Sequence, residues 1–458
     1  MKALPVVLAV ITLGVAATEF YRTHLAENEI VSLPTSRISD PEGQEKGIVV
    51  LLSDAAGWGA REERMSKALT GEGAVVVGVD LPQYYAALGR EDRECLYLVS
   101  DIEELSRQIH RDRDMATYRP PLVAGIGGGG SLALAIAAQT PFSTIGATLA
   151  VDPVASIPLS KILCTPAPKQ LAAGGIAYGL TEGALPNAVD VVFTPTGDPA
   201  GRSHVDDLRR SHPGIEVIAG TEPPETAFLS ATRNVLTAAA TSVSPLDLPI
   251  VPIEATPTRN TMAVIYSGDG GWRDIDQKLA GHLEEEGIPV VGVDSLRYFW
   301  NAKTPDEAAA DLSRIIGTYS RRWNVQNVVL IGYSFGANIL PATYRRLPEN
   351  DRNAVRLVSL LALSRQADFE IAVTGWLGYA GMGRHGDPVD DLAQMEPAKI
   401  QCIHGVEEKD SACPALEGIA GADIHARPGG HHFDGDYQTL TRLIVDRLDR
   451  LERLSPMM

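Results

Sequence analysis

The sequence predicts two tandem α/β domains in one chain, each a mostly parallel sheet with helices on both faces. Three observations lead there. Short, near-continuous runs of β-branched and apolar residues alternate with helical stretches, the pattern of strands covered on both faces by crossover helices. The series of segments that begins at residue 47 begins again at residue 262. Between the two copies lies a stretch rich in proline and small residues, 241–258. A chain of 458 residues suffices for two domains, and 45% hydrophobic with 21% charged residues is the composition of a globular protein with ample core.

Taken in order, Met1-Lys2 precedes an apolar run from Leu4 to Ala17 that ends in small residues. This reads as a signal peptide over 1–17, removed from an exported, periplasmic protein; the run is shorter than the ~20 residues a spanning helix needs, and an uncleaved anchor is the alternative. No other segment is long and apolar enough to span a bilayer. Residues 18–46 read as an extended lead-in. The first domain, 47–240, opens with a strand over Gly47–Ser53, the loop Asp54-Ala55-Ala56-Gly57-Trp58, a helix from Arg61 and a strand over Gly73–Asp80; a helix around Asp101–Arg111 and a strand over Leu122–Ile126 follow. The second domain, 259–458, repeats this with a strand over Met262–Ser267, the loop Gly268-Asp269-Gly270-Gly271-Trp272, a helix over Ile275–Glu286 and a strand over Pro289–Asp294. Trp58 precedes Asp80 by 22 residues, and Trp272 precedes Asp294 by the same 22, a self-match that signals duplication of a whole domain. Pro245, Pro249, Pro252 and Pro257 suit an extended, semi-rigid connector between the copies.

The chemistry concentrates at Gly332-Tyr333-Ser334-Phe335-Gly336, which follows the apolar run Val328–Ile331 and precedes a helical stretch. A strand, a sharp turn and a helix are the setting in which Gly-x-Ser-x-Gly lifts a serine above the carboxyl end of a parallel sheet. The aligned stretch of the first domain is Gly125-Ile126-Gly127-Gly128-Gly129, with glycine at the serine's position and Ser131 four residues on, inside the helix. Its late stretch Ile215–Thr221 contains no histidine, so the first copy keeps the fold without the nucleophile or the base.

A serine hydroxyl needs a general base within hydrogen-bond reach and an acid to orient that base, in the chain order serine, acid, histidine. The base belongs in the loop after the last strand, where Gly430-His431-His432-Phe433 offers His431, with His432 as the alternative. The acid belongs in the loop 405–414. Asp410, four residues before Pro414, fits the usual spacing, and Glu408 is the alternative. The oxyanion needs two backbone donors: Phe335, directly after the serine, and Asp269 in the glycine-rich loop, with Gly270 next. Residues 365–399 form an insertion with Phe369, Trp376 and Met382, either a substrate-lining cap or a cap with its own small core.

A net charge of −18 without a basic cluster disfavours nucleic acid as a partner, so none is expected, and favours a cationic ligand. Four cysteines, Cys95, Cys164, Cys402 and Cys413, permit two disulfides in an exported chain; a Cys402–Cys413 bridge would brace the loop that carries the acid, and free buried thiols are the other reading. No Cys/His spacing suggests a metal, and no cofactor is expected.

The second domain resembles the bacterial virulence protein family of VirJ. The residues that carry the resemblance are Ser-Gly-Asp-Gly-Gly-Trp at 267–272, Val293-Asp294 with Leu296 to Trp300, Gly-Tyr-Ser-Phe-Gly-Ala at 332–337, Trp376-Leu377-Gly378, and Gly-Gly-His-His-Phe at 429–433. With its degenerate first half the whole chain resembles the longer, AcvB-type members. The resemblance implies two tandem α/β-hydrolase-like domains and a periplasmic serine hydrolase that cleaves the aminoacyl ester of lysyl-phosphatidylglycerol, with links to type IV secretion and virulence. On that reading the partners are an aminoacylated phospholipid and secretion-system proteins. Asp269, Asp274 and Asp294 are expected near the mouth to receive the ammonium groups, Asp294 alternatively only capping a turn, and Trp376 is expected to contact substrate.

Overall fold

The computed structural model describes Leu33 and residues 35–241, 245–371 and 383–454. The described residues divide into two compact units: those up to 106, 121–140 and 145–236 in one, and 107–120, 141–144 and those from 237 on in the other. Each unit is built on a seven-stranded sheet.

In the first sheet the strands are β1 (Ile38–Ser39), β2 (Gly47–Leu52), β3 (Ala74–Val79), β4 (Leu122–Ile126), β5 (Ala147–Val151), β6 (Ala188–Phe193) and β7 (Glu216–Ala219), in the spatial order β1-β3-β2-β4-β5-β6-β7. In the second they are β8 (Ile250–Ile253), β9 (Thr261–Tyr266), β10 (Val290–Val293), β11 (Asn327–Tyr333), β12 (Val355–Leu361), β13 (Ile400–Gly405) and β14 (Asp423–Arg427), in the order β8-β10-β9-β11-β12-β13-β14. The two orders are the same. All neighbours are parallel except the first strand of each sheet, which joins an edge antiparallel. Every residue of β2, β3 and β9 is buried, which explains why these strands read as unbroken apolar runs instead of alternating ones.

Two expectations change. The lead-in and the connector are not simply extended, because each contributes the edge strand of the sheet that follows it, β1 on β3 and β8 on β10. Their short lengths and the prolines in the connector masked the strand signal; Pro252 is tolerated because β8 is an edge strand.

The repeated Trp-to-Asp interval also has a packing reason. The ring of Trp58 lies where a Cβ on Gly78 would be, 2.4 Å from it, and the ring of Trp272 stands equally close, 2.4 Å, to the Cβ position of Gly292. Each tryptophan closes its loop over a glycine in the next strand. The aspartate after that strand then caps a helix: Asp80 accepts from Gln83 N–H at 3.1 Å, and Asp294 from Arg297 N–H at 3.2 Å.

Candidate active site

Ser334 stands between β11 and helix α1 (Phe335–Arg345), with φ 52° and ψ −114°, a conformation that costs a non-glycine residue of order 1–3 kcal/mol. The flanking glycines make it possible. A Cβ on Gly332 would stand 2.5 Å from the Gly336 carbonyl oxygen, and one on Gly336 would stand 2.2 Å from the Tyr266 carbonyl oxygen. The first domain makes the same turn at Gly127, φ 57° and ψ −120°. There Ser131 lies inside the following helix, its hydroxyl bonded to Gly127 O and to Val154.

His431 Nε2 lies 2.9 Å from Ser334 Oγ, and its Nδ1 lies 2.7 Å from Glu408 Oε1. An ionised carboxylate can only accept, so the neutral imidazole carries its proton on Nδ1, donates it to Glu408 and leaves Nε2 to accept from the serine. The Glu408 side chain is 7% exposed and that of His431 47%, so the acid is shielded while the base faces the substrate side. Glu408 is held in turn: its Oε2 accepts from Gly405 N–H at 2.8 Å. The two loops approach closely because Gly405 has no side chain; a Cβ there would lie 2.3 Å from the Gly430 carbonyl oxygen.

The acid is therefore Glu408, and the expectation for Asp410 is corrected. A tight turn with Glu408 N–H donating to Gly405 O at 3.1 Å folds Glu408 back over the end of β13, where its longer side chain spans to His431. Asp410, two residues on, is exposed. The disulfide Cys402–Cys413 ties β13 to the far side of this loop, and both cysteines are fully buried; Cys95 and Cys164 form the second bridge.

The expected oxyanion donors, Asp269 and Phe335, can be compared with their counterparts in the first domain. In the catalytic copy the Cβ position of Gly268 is 3.7 Å from Ser334 Cβ, which sets the glycine-rich loop against the nucleophile. A turn closed by Gly271 N–H to Gly268 O at 3.1 Å places Asp269 and Gly270 at its apex. In the first domain Asp54 stands at the position of Gly268. Its Oδ1 accepts from Ala55 N–H at 2.7 Å and from Gly128 N–H at 3.0 Å. Ala55 aligns with Asp269 and Gly128 with Phe335, so a carboxylate oxygen in the silent copy sits on the two amides predicted to bind an oxyanion in the other. That oxygen lies 2.3 Å from the Cβ position of Gly127, the place of the missing serine. In the sequence Asp54 stands out only by its alignment with Gly268 in the duplicated loop.

The remaining predicted residues separate. Asp274 is exposed at the first position of the helix Asp274–Glu285, and its charge acts on His432. Asp269 is half-buried, and its charge acts on Tyr333. Asp294 is not a substrate residue: it is 5% exposed and spent on its helix cap, and burial raises its carboxyl above the usual carboxylate range. Trp376 lies outside the described residues. His432 stands beside the base, not in it; its Nδ1 is 3.0 Å from the Tyr333 hydroxyl. Among the described residues no group of acidic, histidine or cysteine side chains is arranged to hold a metal.

A strained serine between strand and helix, a histidine on it and a carboxylate behind, all at the carboxyl ends of a parallel sheet, define an α/β-hydrolase fold with a Ser–His–Glu triad in the second domain. Residues 260–452 match the model of the family described as bacterial virulence protein (VirJ). No curated protein matches the chain. Among solved structures, the chain is similar to Est1E from Butyrivibrio proteoclasticus with bound ferulic acid, at 11% identity over 46% of this chain and 98% of that one, TM-score 0.32. It is also similar to the type II thioesterase BorB from the borrelidin biosynthetic cluster, at 15% identity over 43% and 97%, TM-score 0.31.

Proposed function

We propose that the protein is a periplasmic serine hydrolase that cleaves the aminoacyl ester of lysyl-phosphatidylglycerol to lysine and phosphatidylglycerol, and that it thereby supports membrane-lipid homeostasis and virulence-linked secretion. The observation that carries the hydrolase reading is the continuous relay from Glu408 through His431 to Ser334, at 2.7 and 2.9 Å. The ester is favoured because its acyl part carries ammonium groups, while Asp269 and Asp274 stand near the site on a chain of net charge −18. Two disulfides suit an oxidising compartment.

In the reaction Ser334 Oγ attacks the aminoacyl carbonyl carbon while His431 Nε2 takes the serine proton. The N–H groups of Asp269 and Phe335 receive the negative oxygen of the tetrahedral intermediate, each contributing about 3 kcal/mol to the transition state. The ester bond breaks as His431 returns the proton to the phosphatidylglycerol oxygen. Water, deprotonated by His431, then attacks the lysyl-serine ester, and lysine leaves as Ser334 regains its proton.

A fluorophosphonate probe should label wild-type Ser334 and leave Ser334→Ala unlabelled, and purified protein should release lysine from lysyl-phosphatidylglycerol vesicles. Labelling without lysine release would retain the serine hydrolase and reject this substrate, in favour of an esterase or thioesterase acting on other acyl groups. Absence of labelling, with secretion-linked function intact in Ser334→Ala, would favour a non-enzymatic adaptor for secretion substrates.

A further inference from the structure

Three parts of the site come from separate stretches of sequence: the serine turn, the glycine-rich loop and the histidine loop. One side chain touches all three. Tyr333 precedes Ser334 in the chain, and its ring packs against the glycine-rich loop, with Cδ1 3.3 Å from the Cβ position of Gly268. Its hydroxyl lies 3.2 Å from the main-chain carbonyl oxygen of His431 and 3.0 Å from His432 Nδ1. The Tyr333 and His431 rings are 5.3 Å apart.

We propose that Tyr333 and His432 are positioning residues that clamp the main chain of the catalytic histidine and so hold His431 Nε2 on Ser334. The hydrogen bonds assign their own direction. A phenol has one proton, and a carbonyl oxygen can only accept, so Tyr333 O–H donates to His431 O. The phenol oxygen then accepts from His432 Nδ1–H. The chain runs from imidazole N–H to phenol to carbonyl, with every donor matched to an acceptor. Burial keeps the Tyr333 phenol well above its ordinary pKa, so its proton stays in place across the working range. Burial, with the neighbouring His431, lowers the pKa of His432, and the neutral ring with its proton on Nδ1 still makes the bond.

The clamp matters because of where it acts. The histidine loop bends sharply, with Gly429 at φ 85° and both Phe433 and Asp434 in the left-handed region. Glu408 fixes the far end of the His431 ring, but a ring held at Nδ1 alone can still swing with its main chain. The bond to its own carbonyl removes that freedom. A small displacement of Nε2 lengthens the 2.9 Å contact that activates the serine.

The inference rests on the serine hydrolase reading, and the experiment separates the two. Purified Tyr333→Phe, His432→Asn, His432→Gln and wild-type protein are compared by the rate of fluorophosphonate labelling, by kcat and KM on a p-nitrophenyl ester, and by thermal unfolding. Asparagine can place an amide N–H near the position of Nδ1, and glutamine cannot. The expected result is about a tenfold fall in labelling rate and kcat for Tyr333→Phe and His432→Gln with KM unchanged, near-wild-type values for His432→Asn, and the same unfolding temperature in all four, a tenfold loss being what one hydrogen bond supplies. If wild type labels and Tyr333→Phe matches its rate, the clamp is refuted while the hydrolase stands. If His432→Asn and His432→Gln fall equally, the assigned direction of the hydrogen bonds is refuted. No labelling of wild type would remove the hydrolase reading itself.

Discussion

Gly268→Asp should extinguish the second domain by reproducing what the first has already done. The first domain carries Asp54 at this place, with Oδ1 at 2.7 and 3.0 Å from the two amides that align with Asp269 and Phe335. Gly268 has no positive φ, so an aspartate can take the backbone as it stands. Its carboxylate is then in covalent reach of the donors and competes with a substrate carbonyl at very high effective concentration. Losing one donor costs roughly 10²–10³ in kcat, and occupying both should cost at least 10³. Gly268→Ala controls for the added Cβ, which meets Tyr333 Cδ1 at 3.3 Å and requires a shift of a few tenths of an ångström. The assay is kcat on a p-nitrophenyl ester with the labelling rate of Ser334 beside it, and folding is checked by thermal unfolding. The alanine variant should lose no more than about tenfold, the magnitude of a small displacement at a packed site. If the aspartate variant retains activity within a few-fold of the alanine variant while folded, the two loops do not form the oxyanion site and the parallel between the domains is wrong.

The assignment of the acid is tested by Glu408→Gln, expected to lower kcat by about 10³–10⁴ at unchanged fold, against Asp410→Asn, expected to stay within twofold; equal losses would reverse the reading. Replacing Cys402 and Cys413 together by alanine should lower unfolding stability by about 3 kcal/mol, measured by urea titration, and lower kcat by loosening the loop that carries Glu408. The pH dependence of stability should bear the mark of Asp276, which burial pushes up to about 8. An unfolded aspartate loses its proton near pH ~3.9, and the native one holds it to about 8, so between those values the native state binds more protons and stability falls as pH rises. Asp276→Asn should therefore gain unfolding temperature relative to wild type as pH is raised from 4 to 8, and a difference that does not vary with pH would show that the carboxyl is not buried as described.

The fold was legible because its signals are local. Strands buried on both faces read as unbroken apolar runs, and the duplicated loop, tryptophan and aspartate interval repeats in register. Edge strands β1 and β8 escaped because they are short, and an edge strand tolerates the proline and mixed polarity that otherwise argue against a strand. Ser334 and His431 were legible for a related reason: each is tied by chain position to the end of a particular strand. The acid was not, since three carboxylates share one loop and spacing to Pro414 is a weaker guide than the turn that points Glu408 inward. Asp294 misled because a residue at a strand end can face the mouth or cap the next helix, and only its burial decides between them.

By itself the sequence determined the duplicated α/β architecture, the loss of the nucleophile from the first copy and the serine and base of the second. These depend on periodicity and on short spans of chain whose backbone geometry the residue types dictate. Tertiary structure alone decided that Glu408, not Asp410, reaches His431, that Tyr333 links the serine turn to the histidine loop, and that Asp54 accepts from the amides of Ala55 and Gly128 in the silent domain. Such contacts join residues far apart in sequence. Whether they form depends on ångström-scale distances between loops at adjacent strand ends, and those distances follow from the packing of the whole sheet.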